Sequence, residues 1–171
     1  MSSHLLSACP CQSQDIFERC CQPILLGVNA AITAEQLMRS RYTAYYLLGN
    51  ASSGITQKEC VQYLIDTHHP EYRSADLAAD LLSGPPTEWC SLRIINMEEG
   101  GATDVTGLVE YAFYRRGTSS EYGQMHEASS FIKQGDHWLY TTGEQLAAMT
   151  LSRNNVCWCG SQQKLKRCHP E

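Results

Sequence analysis

The sequence has no apolar run approaching the ~20 residues that a membrane-spanning helix requires, which leaves no place for a helical membrane anchor. Its start, Met1 to Ala8, has neither a basic segment nor a long apolar one, so no secretory signal peptide is expected. A cytoplasmic location without a membrane partner is the expectation. There is no low-complexity segment. Positive charge is scarce: 13 lysines and arginines against 18 acids give a net charge of −5. The deficit is uneven. Residues 151–171 carry Arg153, Lys164, Lys166 and Arg167 against Glu171, a net +3, so the chain total of −5 leaves −8 for residues 1–150. The tail is the only basic patch, which argues against tight nonspecific nucleic-acid binding at physiological salt. An even number of cysteines is also missing. Nine fit a closed disulfide framework poorly, and a reducing compartment favours metal-binding or catalytic thiols.

What is present is order in those cysteines. Cys9, Cys11, Cys20 and Cys21 crowd one end, Cys157, Cys159 and Cys168 the other, and only Cys60 and Cys90 lie between. The ends repeat each other. Cys9-Pro-Cys11, an eight-residue spacer and Cys20-Cys21 match Cys157-Trp-Cys159, the same spacer and Cys168-His169. Ser13, Gln14 and Arg19 match Ser161, Gln162 and Arg167, and Phe17 stands opposite Leu165. Thiolate sulfur and imidazole nitrogen are the preferred tetrahedral donors of zinc. The repeat therefore predicts two closed four-ligand sites, Cys9/Cys11/Cys20/Cys21 and Cys157/Cys159/Cys168/His169, holding zinc, with iron as the alternative. Closed ligation reads as structural or binding, not catalytic. Cys60 and Cys90 read as buried small hydrophobes.

Between the clusters, helices precede strands. Thr33 is a good N-cap for a helix from Ala34 to Leu48, with Gly49-Asn50 as its stop. Thr56 caps a second helix running to about His68, ended by Pro70. Ser74 to Leu82 reads as a short third helix closed by Gly84-Pro85-Pro86. The period then changes to two. Glu88 to Asn96, Thr106 to Arg116, Gln124 to Lys133 and Trp138 to Thr142 read as strands, with turns at Gly100-Gly101, Gly117 to Gly123 and Gly135-Asp136. Residues 144–156 read as a linker or short helix. This order predicts an α+β fold with helices packed on one face of a curved antiparallel sheet. The expected organisation is a metal motif over residues 1–30, the α+β domain over 31–150 and a second metal motif over 151–171.

CPCQSQDIFERCC and CWCGSQQKLKRCH resemble the SEC-C motif, a short zinc-binding knuckle also found at the end of the bacterial secretion motor SecA. The first knuckle, the helix from Glu35 through Arg39, Arg41 and Tyr42 to Tyr45, and the stretch His126-Glu127-Ala128-Ser129-Ser130-Phe131 followed by Trp138 and Tyr140 resemble the bacterial YchJ family. The resemblance spans the whole chain. It implies a cone-like, nuclear-transport-factor-2-like middle domain but no settled activity. Two departures stand out: Cys21 faces His169, and Gln12 stands where the second copy has Gly160, which strains that turn without removing a ligand.

Cone-like folds often enclose a cavity between helices and sheet. Arg41 and Tyr45, four apart, share a helix face, and Glu127, Ser129 and Phe131 share a strand face. A pocket is predicted with Arg41 and Glu127 at its mouth and Tyr45, Trp89 and Trp138 lining it. Glu127 or His126 would be its acid or base. Ordinary ion pairs and core aromatics are the simpler reading. His68-His69 reads as a solvated helix end. The leading functional reading is a zinc-binding interaction module for an acidic partner contacted by Lys164, Lys166 and Arg167, a protein surface being favoured and RNA the less supported choice. A small-molecule-binding protein or enzyme using the cavity is the alternative, and a purely structural use of metal the third.

Overall fold

A computed structural model describes residues 8–49, 54–83, 87–116, 122–159 and 161–169 of the chain. The predicted turns at Asn50, at Gly84-Pro85-Pro86 and over most of Gly117 to Gly123 lie outside the described residues, as does Gly160. Helices α1 (Gln22–Leu25), α2 (Ala34–Gly49), α3 (Gln57–Asp66) and α4 (Leu77–Ser83) precede strands β1 (Glu88–Glu99), β2 (Thr106–Arg116), β3 (Tyr122–Gln134) and β4 (His137–Leu146), and α5 (Leu165–Cys168) closes the order. The strands form one antiparallel sheet in the order β1-β2-β3-β4.

Local chemistry starts the helices where the sequence indicates. The Thr33 hydroxyl accepts the Gln36 N–H at 3.1 Å. Thr56 and Glu59 form a reciprocal capping box: Thr56 Oγ1 accepts the Glu59 N–H at 3.2 Å, and Glu59 Oε2 accepts the Thr56 N–H at 2.7 Å. Helix α3 stops at Asp66, short of His68, because the chain then joins the sheet. Tyr140 N–H donates to Thr67 O at 2.9 Å and His69 N–H to Tyr140 O at 2.8 Å. His68 and His69 are therefore not a solvated helix end. His69 is buried, and the His68 ring packs edge-on to Tyr140 at 4.9 Å. Residues Glu144 to Leu146, expected in a linker or helix, instead extend β4 opposite Ala128 to His126. Cys60 is buried as expected, but Cys90 is half-buried at the β1 irregularity, where the register shifts between Trp89 and Ser91.

Alternation along β2 sends Val109, Tyr111 and Phe113 to one face. There they pack with Phe131 and Trp138 against Leu37, Met38 and Tyr42 of α2. The start of α2 sits close against the β1–β2 turn. Ala34 N–H donates to Gly100 O at 2.9 Å. A Cβ on Gly100, whose φ is +83°, would meet Ala34 Cβ at 2.8 Å, and one on Gly107 would meet Gly100 Cα at 2.7 Å. These two glycines let helix and sheet approach.

Candidate metal centres and an internal cavity

The terminal repeats fold alike. Cys9 N–H donates to Asp15 O at 2.8 Å, and Cys157 N–H to Gln163 O at 2.7 Å. Each loop is pinned by an antiparallel bridge, Ala8 to Ile16 and Val156 to Lys164. Each turns through a left-handed glutamine, Gln14 at φ +73° and Gln162 at φ +60°. A helical turn then returns the chain, with Cys20 N–H on Ile16 O at 3.0 Å and Cys168 N–H on Lys164 O at 3.1 Å. This turn lets neighbouring residues point inward together. Gln12 has a φ of +57°, in the left-handed region that disfavours a side chain.

In each cluster the four donor atoms lie within 4.8 Å of one another, so each could hold a metal ion. Four sulfurs at about 2.3 Å from a tetrahedral zinc are about 3.8 Å apart. Cys20 and Cys21 sulfurs are 3.8 Å apart, Cys11 and Cys20 3.6 Å, and Cys159 and Cys168 3.4 Å. His169 Nδ1 lies 3.2 Å from Cys157 Sγ, so Nδ1 is the nitrogen facing the cluster. The donor set fits a thiophilic ion. Sequence reasoning matched Ser13 with Ser161 but gave them no role. Their hydroxyls lie 3.1 Å from Cys20 Sγ and 3.2 Å from Cys168 Sγ, and each also accepts a backbone N–H two residues on. They orient a ligand sulfur from outside the cluster.

The charge state follows from crowding. Hydrogen bonds from the Cys21 and Cys9 thiols push Cys11 down to about 2. Cys9 is pushed up to about 12, first by its hydrogen bond to Cys11, and Cys21 is pushed up strongly by its hydrogen bonds to Cys11 and Cys9. Sulfurs this close share one negative charge unless a cation joins them. In the second cluster burial pushes Cys157 up to about 11. Cys159 is half-buried, which raises it, but hydrogen bonds from the Ser161 side chain and backbone, and from Cys168 and Cys157, outweigh that and hold it below the usual thiol range.

The two knuckles differ in setting. Cys9, Cys11 and Cys21 are buried in a core with Phe17, Leu25, Leu47 of α2 and Leu64 of α3. Arg39, paired with Glu35 at 2.8 Å, ties this knuckle to α2 through Cys11 O at 2.8 Å. In the second knuckle only Cys157 is buried. Its Trp158 stacks on Tyr114 at 4.7 Å and lies 4.5 Å from Tyr122. The strap before it is held where Gln124 exchanges hydrogen bonds with Met149 N–H and O at 2.6 and 3.0 Å. The knuckles meet. Gln12 of the first and Cys157, Trp158 and Gln162 of the second line one cleft of about 360 Å³ with Arg39 and Arg93. Lys164, Lys166 and Arg167 are exposed and form no ion pair among the described residues.

A separate cavity of about 370 Å³ lies between α2 and the sheet. Arg41, Tyr45, Trp89 and Glu127 line it, but Trp138 does not. Trp138 shares the strand face of Tyr140 but lies two residues nearer the start of α2, where it is buried and its indole N–H donates to Ile32 O at 3.2 Å. Tyr140, not expected there, takes the wall position expected for Trp138. Arg41 and Glu127 do not pair. Arg41 Nη1 donates to Leu64 O at 2.9 Å and Thr67 Oγ1 at 2.7 Å. Glu127 Oε1 accepts from Tyr111 at 2.6 Å and Ser129 at 2.7 Å. His126 points to the other sheet face, with Nδ1 2.7 Å from Ala147 O and Nε2 2.8 Å from Glu110 Oε1, so it is no acid or base for this cavity.

Comparison with known proteins agrees with this architecture. The family described as "YchJ, middle NTF2-like domain" matches residues 33–143, and the SEC-C motif matches residues 153–169. A UPF0225 protein of Geobacter sulfurreducens is 35% identical, covering 96% of this chain and 98% of its own. One from Shewanella sp. strain MR-7 is 34% identical over 94% of both chains. The solution structure of a SEC-C motif containing protein from Rhodopseudomonas palustris superposes with a TM-score of 0.65 at 27% identity, covering 82% of this chain and all of that one. The crystal structure of another, from Psychrobacter arcticus, superposes with a TM-score of 0.59 at 24% identity over 95% of both chains and shows the same fold.

Proposed function

The chain belongs to the YchJ family, and from that premise we propose that it is a zinc-loaded interaction module whose two knuckles act together on one protein partner. The observation that carries the reading is the convergence of four soft donors in each cluster. Cys9, Cys11, Cys20 and Cys21 hold one zinc, and Cys157, Cys159, Cys168 and His169 the other. Thiolate-rich ligation also suits iron, but the histidine in one set and the absence of an open ligand position favour structural zinc. Bound metal leaves the four-thiolate knuckle at −2 and the three-thiolate knuckle at −1, and its work is to rigidify the surfaces around it.

The shared cleft supports a joint surface. Arg39 and Arg93 line it, and the unpaired Lys164, Lys166 and Arg167 lie on the second knuckle, in a chain otherwise acidic. An acidic protein surface is the chemistry they recognise. No helix among the described residues is long and apolar enough to cross a membrane.

Elemental analysis of untagged protein, purified reduced and without chelator, tests the metal and is expected to give two zinc per chain. A pull-down tests the surface. Charge reversal at Arg93, Lys164, Lys166 and Arg167 together should abolish capture of the acidic partner while both metals stay bound. Unchanged capture refutes the surface, and a metal-free chain that takes up no zinc refutes the whole reading.

A further inference from the structure

The cavity between α2 and the sheet holds two opposite charges that do not neutralise each other. Arg41 is 5% exposed and forms no ion pair with any described residue. Its structural duty, donating to Leu64 O of α3 and to the Thr67 hydroxyl just beyond that helix, occupies Nη1 alone. Nε and Nη2 carry no hydrogen bond among the described residues, and neither is a fully enclosed atom, so they remain open to the cavity that Arg41 lines. Glu127 is in the same condition. Tyr111 and Ser129 both hold Oε1, and Oε2 is unpartnered and accessible. A third polar group is orphaned. Both ring nitrogens of His68 are buried and lack a hydrogen-bond partner. Burial, and after it the nearby Arg41, push its pKa down. Buried polar groups in folded proteins are satisfied by protein, water or ligand, and a charge without a counterion is the most expensive kind to leave.

Aromatic rings wall the space between these groups. Tyr45 stacks on Trp89 at 5.2 Å and 27°, and Trp89 lies against Phe113 at 4.7 Å. On the opposite side the Tyr140 ring lies under the Arg41 guanidinium at 4.8 Å. The sheet is shaped around the acid as well. A Cβ on Gly143 would fall 2.2 Å from Glu127 Oε1, so this glycine makes the carboxylate's place. The volume is at the low end of small-molecule sites, about 300–1,000 Å³, which admits a single-ring compound.

We propose that this cavity binds a small aromatic carboxylate that also carries a hydrogen-bond donor. The ligand carboxylate takes the two remaining edges of Arg41, a fork that matches its planar geometry. The ring lies against Tyr45 and Trp89. An amino or hydroxyl group on the ring donates to Glu127 Oε2. The acid decides between ligand classes. Beside Glu127, one enclosed arginine offers no surplus charge for a dianionic phosphate, whereas a monoanion with a donor satisfies both groups at once. Arg115, at the exposed rim, steers an anion inward. This site is distinct from the metal centres and independent of the partner reading.

The test uses the full zinc-loaded chain and four probes: meta-aminobenzoate, para-aminobenzoate, benzoate and aniline. Saturation-transfer NMR and tryptophan fluorescence should show at least one aminobenzoate binding with a Kd of about 1 mM or tighter. Benzoate should bind about tenfold more weakly, and aniline not measurably. Glu127→Gln should bring the aminobenzoate down to the level of benzoate, and Arg41→Met should abolish binding of both. Lys58→Ala, at an exposed position of α3 outside the cavity, should change nothing. If Arg41→Met fails to fold, Glu127→Gln, which keeps the side chain's shape, decides the matter. The proposal is overturned if neither aminobenzoate binds, or if binding is indifferent to Glu127→Gln.

Discussion

Single residues carry the finer design of the metal knuckles. The hydroxyls of Ser13 and Ser161 each bridge a ligand sulfur and a backbone N–H. Outer hydrogen bonds of this kind are worth roughly 10–100-fold in metal affinity. Ser161→Ala should therefore weaken the C-terminal site by about tenfold in a competition titration against a coloured chelator, without altering the N-terminal one. Gln12 sits at φ +57°. Gln12→Gly removes a left-handed penalty of about 1 kcal/mol per residue, offset in part by the flexibility of glycine in the unfolded chain. A gain of about 0.5 kcal/mol is expected in denaturant unfolding of the metal-loaded protein. Gly107 is constrained in the other direction. Because its Cβ would strike the Gly100 backbone, Gly107→Ala should cost about 1–3 kcal/mol in the same measurement.

At the scale of elements, the two knuckles are alike in fold and unlike in burial. The N-terminal one is walled by α2 and α3, and its ligand sulfurs belong to a hydrophobic core. The C-terminal one rests on the outer side of the sheet through Trp158, and three of its four ligands are partly exposed. A chelator should therefore strip the C-terminal metal first with little loss of helix or sheet. Removing the N-terminal metal should coincide with a large fall in thermal stability, because four sulfurs, three of them on buried cysteines, lose their cation. Circular dichroism followed alongside metal release checks the order. The strap to the C-terminal knuckle has its own fastening. His126 holds Ala147 O with one nitrogen and Glu110 with the other. Its pKa is raised, first by the bond to Ala147, against burial, and then by Glu110. A raised value means that this tether's contribution is fully present below the ordinary imidazole value of about 6.5 and is lost as pH rises through the folded value. NMR titration should find the His126 midpoint above the ordinary value, and Glu110→Gln should lower it.

For the whole molecule, folding brings the two knuckles, far apart in sequence, to one cleft. Binding metal requires both ligand sets to shed protons, so zinc uptake should release protons and weaken steeply as pH falls. Calorimetry in buffers of different ionisation enthalpy measures that release, and equal heats in all buffers would contradict it. Part of the fold was legible because its signals are local. Thr33 and Thr56 start helices through hydrogen bonds within one turn, and β2 occupies Thr106–Arg116, where period two was read. The misplaced features are those that depend on contacts far along the chain. His68 and His69 leave the helix for Tyr140, Trp138 is drawn to the start of α2, and β4 runs on to Leu146 because Ala128 to His126 offer it partners.

The amino-acid sequence alone determined the two donor clusters and the helix-then-strand order, because donor spacing, capping and periodicity act over a few residues and need no distant partner. Only the tertiary structure decided which knuckle is buried, that both border one cleft, and that Arg41 and Glu127 face the same cavity without pairing. Those outcomes turn on how helices, sheet and knuckles pack against one another, which depends on side chains far apart in sequence and is written in no single stretch of chain.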